Sequence, residues 1–403
     1  MQAELVEKRR WIAQPCFNQG LSFCTLLPGP EAQQLATWIG LQLHGVKGAL
    51  FAGMSFVIPA ALLLWILSYG YFAYAHLPGI AGAVFGLKCA VLVLIAHALV
   101  RFAKRSLQTP LAWAFALLSF ACLALGQSYF IAIGVAALLP ALLHLNKTPL
   151  DTAHASLLAT ENAHSAKPSS NTKAALISGL CAAALLVLLL IWVQQAGSPM
   201  LQQLSIIMTK AALVTIGGAY AVLPFVFDQA THFGWLDSKQ AMAGLALAET
   251  TPGPLVIVLG FVGFAVGWHF SGEQNQLLAA TIGYCVALLC TFLPSFALVL
   301  CGSLALTKIS RWRRARLALE GISQAVIGGI AWLALQFAIA LFWPTAGVHL
   351  PNLPALALVA LLFGLQYRYQ FSSLKLVVTG AAISGMVAAV YSAQIFFYAA
   401  LFG

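Results

Sequence analysis

The chain carries one segment twice, and this duplication constrains its fold more than any other feature. In the first copy Trp11 precedes Pro28-Gly29-Pro30, and in the second copy Trp235 precedes Pro252-Gly253-Pro254. Both ends of the segment are offset by 224 residues (11 to 235 and 28 to 252), so the two copies align without a gap. The chain is therefore expected to consist of two related halves.

A second repeated motif supports the duplication. The pattern Gly-Ile-x-x-Ala-Val-x-Gly occupies residues 79–86 and recurs at 321–328, with an offset of 242. The 18 additional residues of the second half therefore lie between the two motifs. Two motifs that recur in the same order indicate an internal repeat, and duplicated helix breaks in a membrane protein are typical of transporters.

The composition is that of a membrane protein. Hydrophobic residues make up 61% of the chain and charged residues only 7%, and the mean hydropathy is +0.92. Apolar stretches such as 174–193 and 277–306 reach or exceed the roughly 20 residues that cross a bilayer core. We predict an all-α, polytopic helical membrane protein that is surrounded by the lipid bilayer. The net charge of +10 does not predict a nucleic-acid partner, because the basic residues fall in short loops and set orientation.

The candidate spans divide the chain into two repeats. They are 31–45, 48–72, 79–100, 109–125, 128–145, 174–196, 203–227, 253–271, 277–304, 321–343, 353–366 and 374–391. The polar stretch 147–173 has no apolar periodicity, which is typical of a flexible linker. We predict an N-terminal transporter repeat at 1–146, a cytoplasmic linker at 147–173 and a C-terminal transporter repeat at 174–403.

The basic residues predict how the two repeats are oriented. The loops at 101–105 and 308–316 are both rich in Lys and Arg, which places both in the cytoplasm. The helix at 79–100 ends at its basic loop, whereas the equivalent helix at 321–343 begins after one. The equivalent helices then run in opposite directions, so we predict two inverted-topology repeats.

This scheme leaves one conflict at the start of the chain. Lys8-Arg9-Arg10 would lie outside, against the usual distribution of charge. The first half also lacks a partner for residues 203–224, because position 225 already corresponds to residue 1. We therefore expect that a first helix is missing before Met1.

The Pro-Gly-Pro motifs predict an anion site. Proline has no backbone N–H and disfavours helix in the residue before it, so each motif breaks a helix and a new helix can start after it. A helix N-terminus carries unpaired N–H groups and the positive end of the helix dipole. Two such ends near the middle of the membrane can bind an anion without a full positive charge. The alternative is a proline kink that only shapes packing.

Polar residues around the two motifs complete the predicted substrate site. Lys210 lies in an apolar stretch, where an ionisable residue is costly, but it can also extend towards the interface. Glu249 can carry a proton or hold a basic partner, and it can equally be an interfacial carboxylate. No catalytic residues, metal ligands or cofactor sites are predicted. The substrate-binding candidates are Pro28, Gly29, Pro30, Gln34, Lys210, Gly217, Gly218, Tyr220, Glu249, Thr250, Thr251, Pro252, Gly253 and Pro254.

These motifs resemble the chromate ion transporter family in its long, two-domain form. The matching segments are Val6 to Trp11, Leu27 to Pro30 with Gln34, Gly217 to Tyr220 with Leu223-Pro224, Ala248 to Pro254, and Gly260 to Gly263. The resemblance implies a secondary transporter in the inner (plasma) membrane that expels chromate from the cytoplasm and confers chromate resistance. Sulfate, another tetrahedral dianion, is the natural competitor. The family's first half opens with a helix bearing Phe-Gly-Gly-Pro, which this sequence does not contain before its first motif.

Other classes of function fit less well. A carrier of sulfate or another oxyanion is the alternative within transport, and the sequence does not separate it from a chromate carrier. A membrane-embedded enzyme would need catalytic residues inside the spans, and no paired aspartates, His-Glu-x-x-His or Gly-x-Ser-x-Gly motif is present. A non-transporting scaffold would gain nothing from duplicated helix breaks. A homodimer is compatible with the sequence.

Overall fold

The computed structural model describes residues 1–127, 129–143, 172–214, 219–270, 275–302, 313–343 and 351–402. In these residues a short π-helical segment, Ala3–Lys8, precedes fourteen α-helices, and there is no β-strand. The helices are α1 (Gln14–Leu26), α2 (Glu31–Tyr74), α3 (Pro78–Ser106), α4 (Pro110–Ala124), α5 (Tyr129–Leu143), α6 (Thr172–Gln195), α7 (Pro199–Val214), α8 (Leu223–His232), α9 (Ser238–Thr250), α10 (Val258–His269), α11 (Gln276–Gly302), α12 (Arg313–Phe342), α13 (Leu353–Tyr369) and α14 (Ser373–Phe402). The predicted all-α class is confirmed.

The long helices are suited to a bilayer. Within the described residues, five helical stretches are long and apolar enough to cross a membrane: Glu31–Tyr74, Gly79–Ser106, Lys173–Gln195, Gln276–Gly302 and Leu317–Phe342. Shorter apolar helices pack among them. The protein is therefore a polytopic helical membrane protein, as the composition predicts.

A sharp bend divides α2 into two arms. Residues 44–45 have non-helical backbone angles, and Gly45 has a positive φ of 62°. We call residues 31–43 the short arm and residues 46–74 the long arm. Gly40 and Gly48 come so close across the bend that a Cβ on either would meet the other's carbonyl group. The two arms therefore pack side by side in opposite directions.

The first Pro-Gly-Pro motif lies at the apex of a helical hairpin. Gly29 has a φ of +127°, which residues other than glycine rarely adopt, and the chain reverses there. On either side of the apex, Gly20 of α1 packs against the ring of Trp38 in the short arm. We call α1 and the short arm the first hairpin.

The second Pro-Gly-Pro motif forms a hairpin of the same kind. Asp237 caps the start of α9, where its Oδ1 accepts the N–H of Gln240 at 2.6 Å. Gly244 of α9 then packs against the ring of Phe261 in α10, across the motif. We call α9 and α10 the second hairpin. Its arm α10 packs against α11, as the short arm packs against the long arm.

This arrangement corrects three of the predicted spans. The stretches 31–45 and 253–271 do not cross the membrane alone, because each is largely one arm of a hairpin. The short arm extends only about 20 Å at 1.5 Å per residue, whereas the hydrocarbon core is about 30 Å thick. The stretch 203–227 is also not one helix, because it is shared between α7, a single 3₁₀ turn and α8, which has Pro224 in its first turn.

The first hairpin bears on the conflict at the start of the chain. Its short arm ends beside the start of the long arm, so both ends of the hairpin lie on one side of the protein. The predicted outside position of Lys8-Arg9-Arg10 counted 31–45 as a crossing. The hairpin argues against that count, and the side of these three charges stays a prediction.

Equivalent helices of the two halves pack in opposite directions. The long arm and α11 each follow their own hairpin in the chain. Trp65 Nε1 donates to Thr281 Oγ1 at 3.1 Å, and the Tyr284 hydroxyl donates to the carbonyl of Ala61 at 2.6 Å, so the two helices are antiparallel. Elsewhere α3 packs on α14, and α12 packs on α4 and α5. The inverted repeat stays a prediction, and this antiparallel pair supports it.

The predicted division into domains falls partly outside the described residues. The linker at 147–173 lies outside them except for its last two residues, Thr172 and Lys173, which begin α6. Contacts such as those between α3 and α14 join the two halves closely. The boundaries at 146 and 174 therefore stay a prediction about the repeats, which are not separate bodies.

Candidate functional site

Each Pro-Gly-Pro apex contacts one long helix of the opposite half. The first apex contacts α11, and the second apex contacts the long arm. A Cβ on Gly29 would lie 3.1 Å from Ser295 Oγ in α11, and a Cβ on Gly253 would meet the side chain of Ala60 in the long arm. Phe296, next to Ser295, packs against Gly53, which lies seven residues before Ala60. The apices are thus offset by about 10 Å along the long arm at 1.5 Å per residue.

The first apex is closed by buried amide side chains. Gln34 Nε2 donates to the carbonyl of Pro28 at 2.7 Å, and its Oε1 is buried without a hydrogen-bond partner among the described residues. Beside it, Ser295 Oγ donates to Gln33 Oε1 at 2.7 Å, and Gln33 Nε2 donates to Thr37 Oγ1 at 2.9 Å. Gln34 was predicted to bind substrate; in this conformation it holds the apex together.

The Ser295–Gln33 hydrogen bond is expected to stabilise the fold. In Ser295→Ala, Gln33 Oε1 loses its donor while it stays buried, which costs about 1–3 kcal/mol. We expect a lower melting temperature for the purified protein in detergent. Ser323→Ala is the matched control, because Ser323 donates only to the Leu319 carbonyl of its own helix. Equal melting temperatures for the two variants would contradict this account.

The second apex is more open. Pro252 and Gly253 are exposed, and only Pro254 of this motif is buried. At the first apex, by contrast, both Gly29 and Pro30 are buried. The hydroxyls of Thr250 and Thr251 were predicted to coordinate an anion. Each donates instead to a carbonyl of its own helix, that of Leu247 at 2.6 Å and that of Ala248 at 2.7 Å. Neither hydroxyl proton is free for an anion in this conformation.

Tyr220 and Glu249, both predicted from the sequence, meet at the second apex. The Tyr220 hydroxyl donates to Glu249 Oε1 in a short hydrogen bond, and both side chains are partly buried. Tyr220 stands in the 3₁₀ turn before α8, and Glu249 is in the last turn of α9. A carboxylate held by a tyrosine beside a helix break can bind and release a proton, or exchange its donor with a substrate.

Arg101 was not predicted as a site residue. Its position in the sequence indicated only orientation, but the structure places it next to a ring that contacts Tyr220. The Arg101 guanidinium lies 5.6 Å from the centre of the Phe102 ring, and that ring lies 6.1 Å edge-on from the ring of Tyr220. The signal available in the sequence was a basic residue one turn before the end of a long apolar helix.

Other predicted residues lie apart from this pair or outside the described residues. Lys210 lies on α7 with its side chain exposed, and its binding role stays a prediction. Gly217 and Gly218 are outside the described residues. Within those residues no group of three or more His, Cys, Asp or Glu side chains could hold a metal ion.

The fold and this site define a class of protein. A polytopic helical membrane protein with two half-length hairpins, whose apices adjoin polar and charged side chains, has the architecture of a membrane transporter. The sequence profile described as "Chromate transporter" matches residues 1–141 and 202–386. The chain belongs to the chromate transporter family, and the resemblance drawn from its motifs is confirmed.

Curated relatives agree with this assignment. The chain is 32% identical over 343 residues to the "Chromate transport protein" of Pseudomonas aeruginosa, covering 84% of this chain and 75% of the relative. It is 29% identical over 395 residues to the "Chromate transport protein" of Cupriavidus metallidurans, covering 96% and 87%. An uncharacterised transporter of Methanocaldococcus jannaschii is 26% identical over 343 residues, covering 84% and 79%. No solved structure matches the chain.

Proposed function

We propose that this protein is a secondary transporter that exports chromate across the inner (plasma) membrane, without enzymatic activity, and so confers chromate resistance. The observation that carries the proposal is the Tyr220–Glu249 pair at the second apex, which Arg101 approaches through the ring of Phe102. Two relatives that match most of the chain are named chromate transport proteins. The antiparallel long arm and α11 support inverted repeats, and the exposed faces of the helices leave room for a homodimer.

Export of a dianion has a driving force that needs no nucleotide. An inside-negative potential favours outward movement by about 2.3 kcal/mol per charge per 100 mV, hence about 4.6 kcal/mol for chromate. No Walker-type phosphate loop occurs in the sequence. Glu249 is the residue best placed to couple a proton to this movement, because it is a partly buried carboxylate at the open apex and accepts a hydrogen bond from Tyr220.

Chromate flux in proteoliposomes tests the proposal. We expect the purified protein to carry chromate faster than protein-free liposomes do, and faster still towards a positively charged compartment. A parallel measurement with an imposed proton gradient shows whether protons are coupled to the flux. Flux equal to that of protein-free liposomes under both gradients would rule out the proposed function.

Sulfate is the second candidate substrate. A site of amide ends, hydroxyls and guanidinium groups recognises charge and shape rather than the central atom of a tetrahedral anion. Competition by sulfate and by molybdate in the same proteoliposomes separates the candidates. Inhibition of chromate flux by less than half at a tenfold excess of sulfate would favour a chromate carrier. A stronger inhibition would favour a general oxyanion carrier.

A further inference from the structure

We propose that Arg101, with Arg105 one turn further along α3, supplies the positive charge that holds the dianion at the second Pro-Gly-Pro apex. The two residues are four apart near the end of α3, so their side chains leave the same face of that helix. Both side chains are exposed and can be reached by an ion from the side of the basic loop. This inference rests on the proposed function and names the binding groups that the hairpins themselves lack.

The contacts of Arg101 connect it to the second apex. Its guanidinium packs on Phe102, Phe102 packs edge-on against Tyr220, and Tyr220 donates to Glu249. Arg101 belongs to the first half of the chain, whereas Tyr220 and Glu249 belong to the second. The site at the second apex is therefore completed by a residue of the opposite half.

Arg105 lies one helical turn further along α3, on the same face as Arg101. Its guanidinium therefore adds a second positive charge beside that of Arg101. We call these two side chains the basic face of α3.

A dianion that binds beside carboxylates needs positively charged side chains nearby. Glu31 and Glu249 would repel a dianion, and the hydroxyls of Thr250 and Thr251 are engaged by their own helix. A guanidinium offsets the carboxylate in the resting state and presents paired N–H groups to the oxygens of a tetrahedral anion. We infer that Arg101 and Arg105 bind the oxygens of the dianion directly.

The decisive experiment compares three neighbouring charges of one helix. Arg101→Gln and Arg105→Gln each remove one positive charge near an apex. Lys104→Gln removes the same charge from an exposed side chain that lies between them in sequence, and it is the matched control. Chromate and sulfate affinities are measured by calorimetry on the purified protein in detergent. We expect the Kd for chromate to rise at least tenfold in each arginine variant and less than twofold in the control.

Two further measurements keep the inference testable if an arginine variant folds poorly. Arg101→Lys keeps the charge but loses the planar fork, and we expect an intermediate Kd. Flux in proteoliposomes should show a raised KM with a smaller change in the maximal rate. Arginine variants that bind chromate as tightly as Lys104→Gln would overturn this inference alone. A wild-type protein that binds neither chromate nor sulfate would overturn the proposed function as well.

Discussion

Chromate flux in a Glu249→Gln variant is expected to fall by about 10- to 100-fold. Glu249 Oε1 accepts the hydroxyl of Tyr220 at the second apex. An amide oxygen can still accept this hydrogen bond, so the expected loss follows from the missing charge and the missing titratable proton. The expected range corresponds to about 1.4–2.8 kcal/mol in the transport barrier. The amide cannot carry the proton that we assign to Glu249, so any dependence of the flux on a proton gradient should also disappear. The flux is measured as the rate of chromate uptake into everted membrane vesicles.

Tyr220→Phe separates the roles of the two partners. It keeps the carboxylate and the ring that packs on Phe102, but it removes the donor. We expect slower flux with the proton dependence retained. Asp228→Asn is the matched control for charge, because Asp228 is an exposed carboxylate on α8 whose side chain contacts only the adjacent Gln229 in the described residues. Flux in Glu249→Gln equal to that in Asp228→Asn would remove Glu249 from the mechanism.

Lys210 provides a second comparison in the same vesicles. The sequence allowed it either a binding role or an interfacial one, and its exposed side chain on α7 favours the interfacial one. Lys210→Gln is then expected to retain most of the flux. A loss as large as that of Glu249→Gln would restore Lys210 to the substrate site.

The sequence predicted the class of the protein and the most important break points, because these depend on composition and on local backbone chemistry. Apolar stretches of more than 20 residues predict membrane helices, and the two Pro-Gly-Pro motifs predict breaks whatever surrounds them. The sequence predicted Tyr220 and Glu249 near the same motif, but it did not predict the hydrogen bond between them. That bond depends on how α8 and α9 pack, and the packing cannot be inferred for two residues that are 29 positions apart.

The sequence could not show that each break reverses the chain. A Pro-Gly-Pro motif can interrupt a helix that continues in the same direction, or it can turn the helix back on itself. Close packing of Gly20 on Trp38 and of Gly244 on Phe261 selects the reversal here. The predicted side of Lys8-Arg9-Arg10 depends on this choice, because a reversal removes one crossing between these charges and α3.

Arg101 was missed for a similar physical reason. Basic residues at the ends of membrane helices usually lie at the interface and set orientation. Nothing in the sequence relates Arg101 to Tyr220, because the two residues belong to different halves and come close only where Phe102 of α3 packs against Tyr220. A long arginine side chain near a helix end can reach a site about one turn deeper.

The largest effect on folding is expected from Gly283→Val. Gly263 of α10 and Gly283 of α11 each place a backbone carbonyl where the other's Cβ would be, so the helices touch through their backbones. Small residues allow such close approach in membrane helices. A valine side chain cannot be accommodated by a rotamer change, because the atoms it meets belong to the main chain. We expect destabilisation of about 3 kcal/mol, which is at the upper end of the usual cost of overpacking.

Thermal unfolding in detergent and size-exclusion chromatography measure this effect. Gly364→Val on α13 is the matched control, because no atom of the described residues lies within 4 Å of the position that its Cβ would occupy. The same substitution then differs only in whether a second backbone is present. If α10 and α11 separated freely from each other, both variants would melt alike. A lower melting temperature in Gly283→Val alone means that the backbone contact between α10 and α11 stabilises the fold, so the second hairpin is held against α11 by close packing.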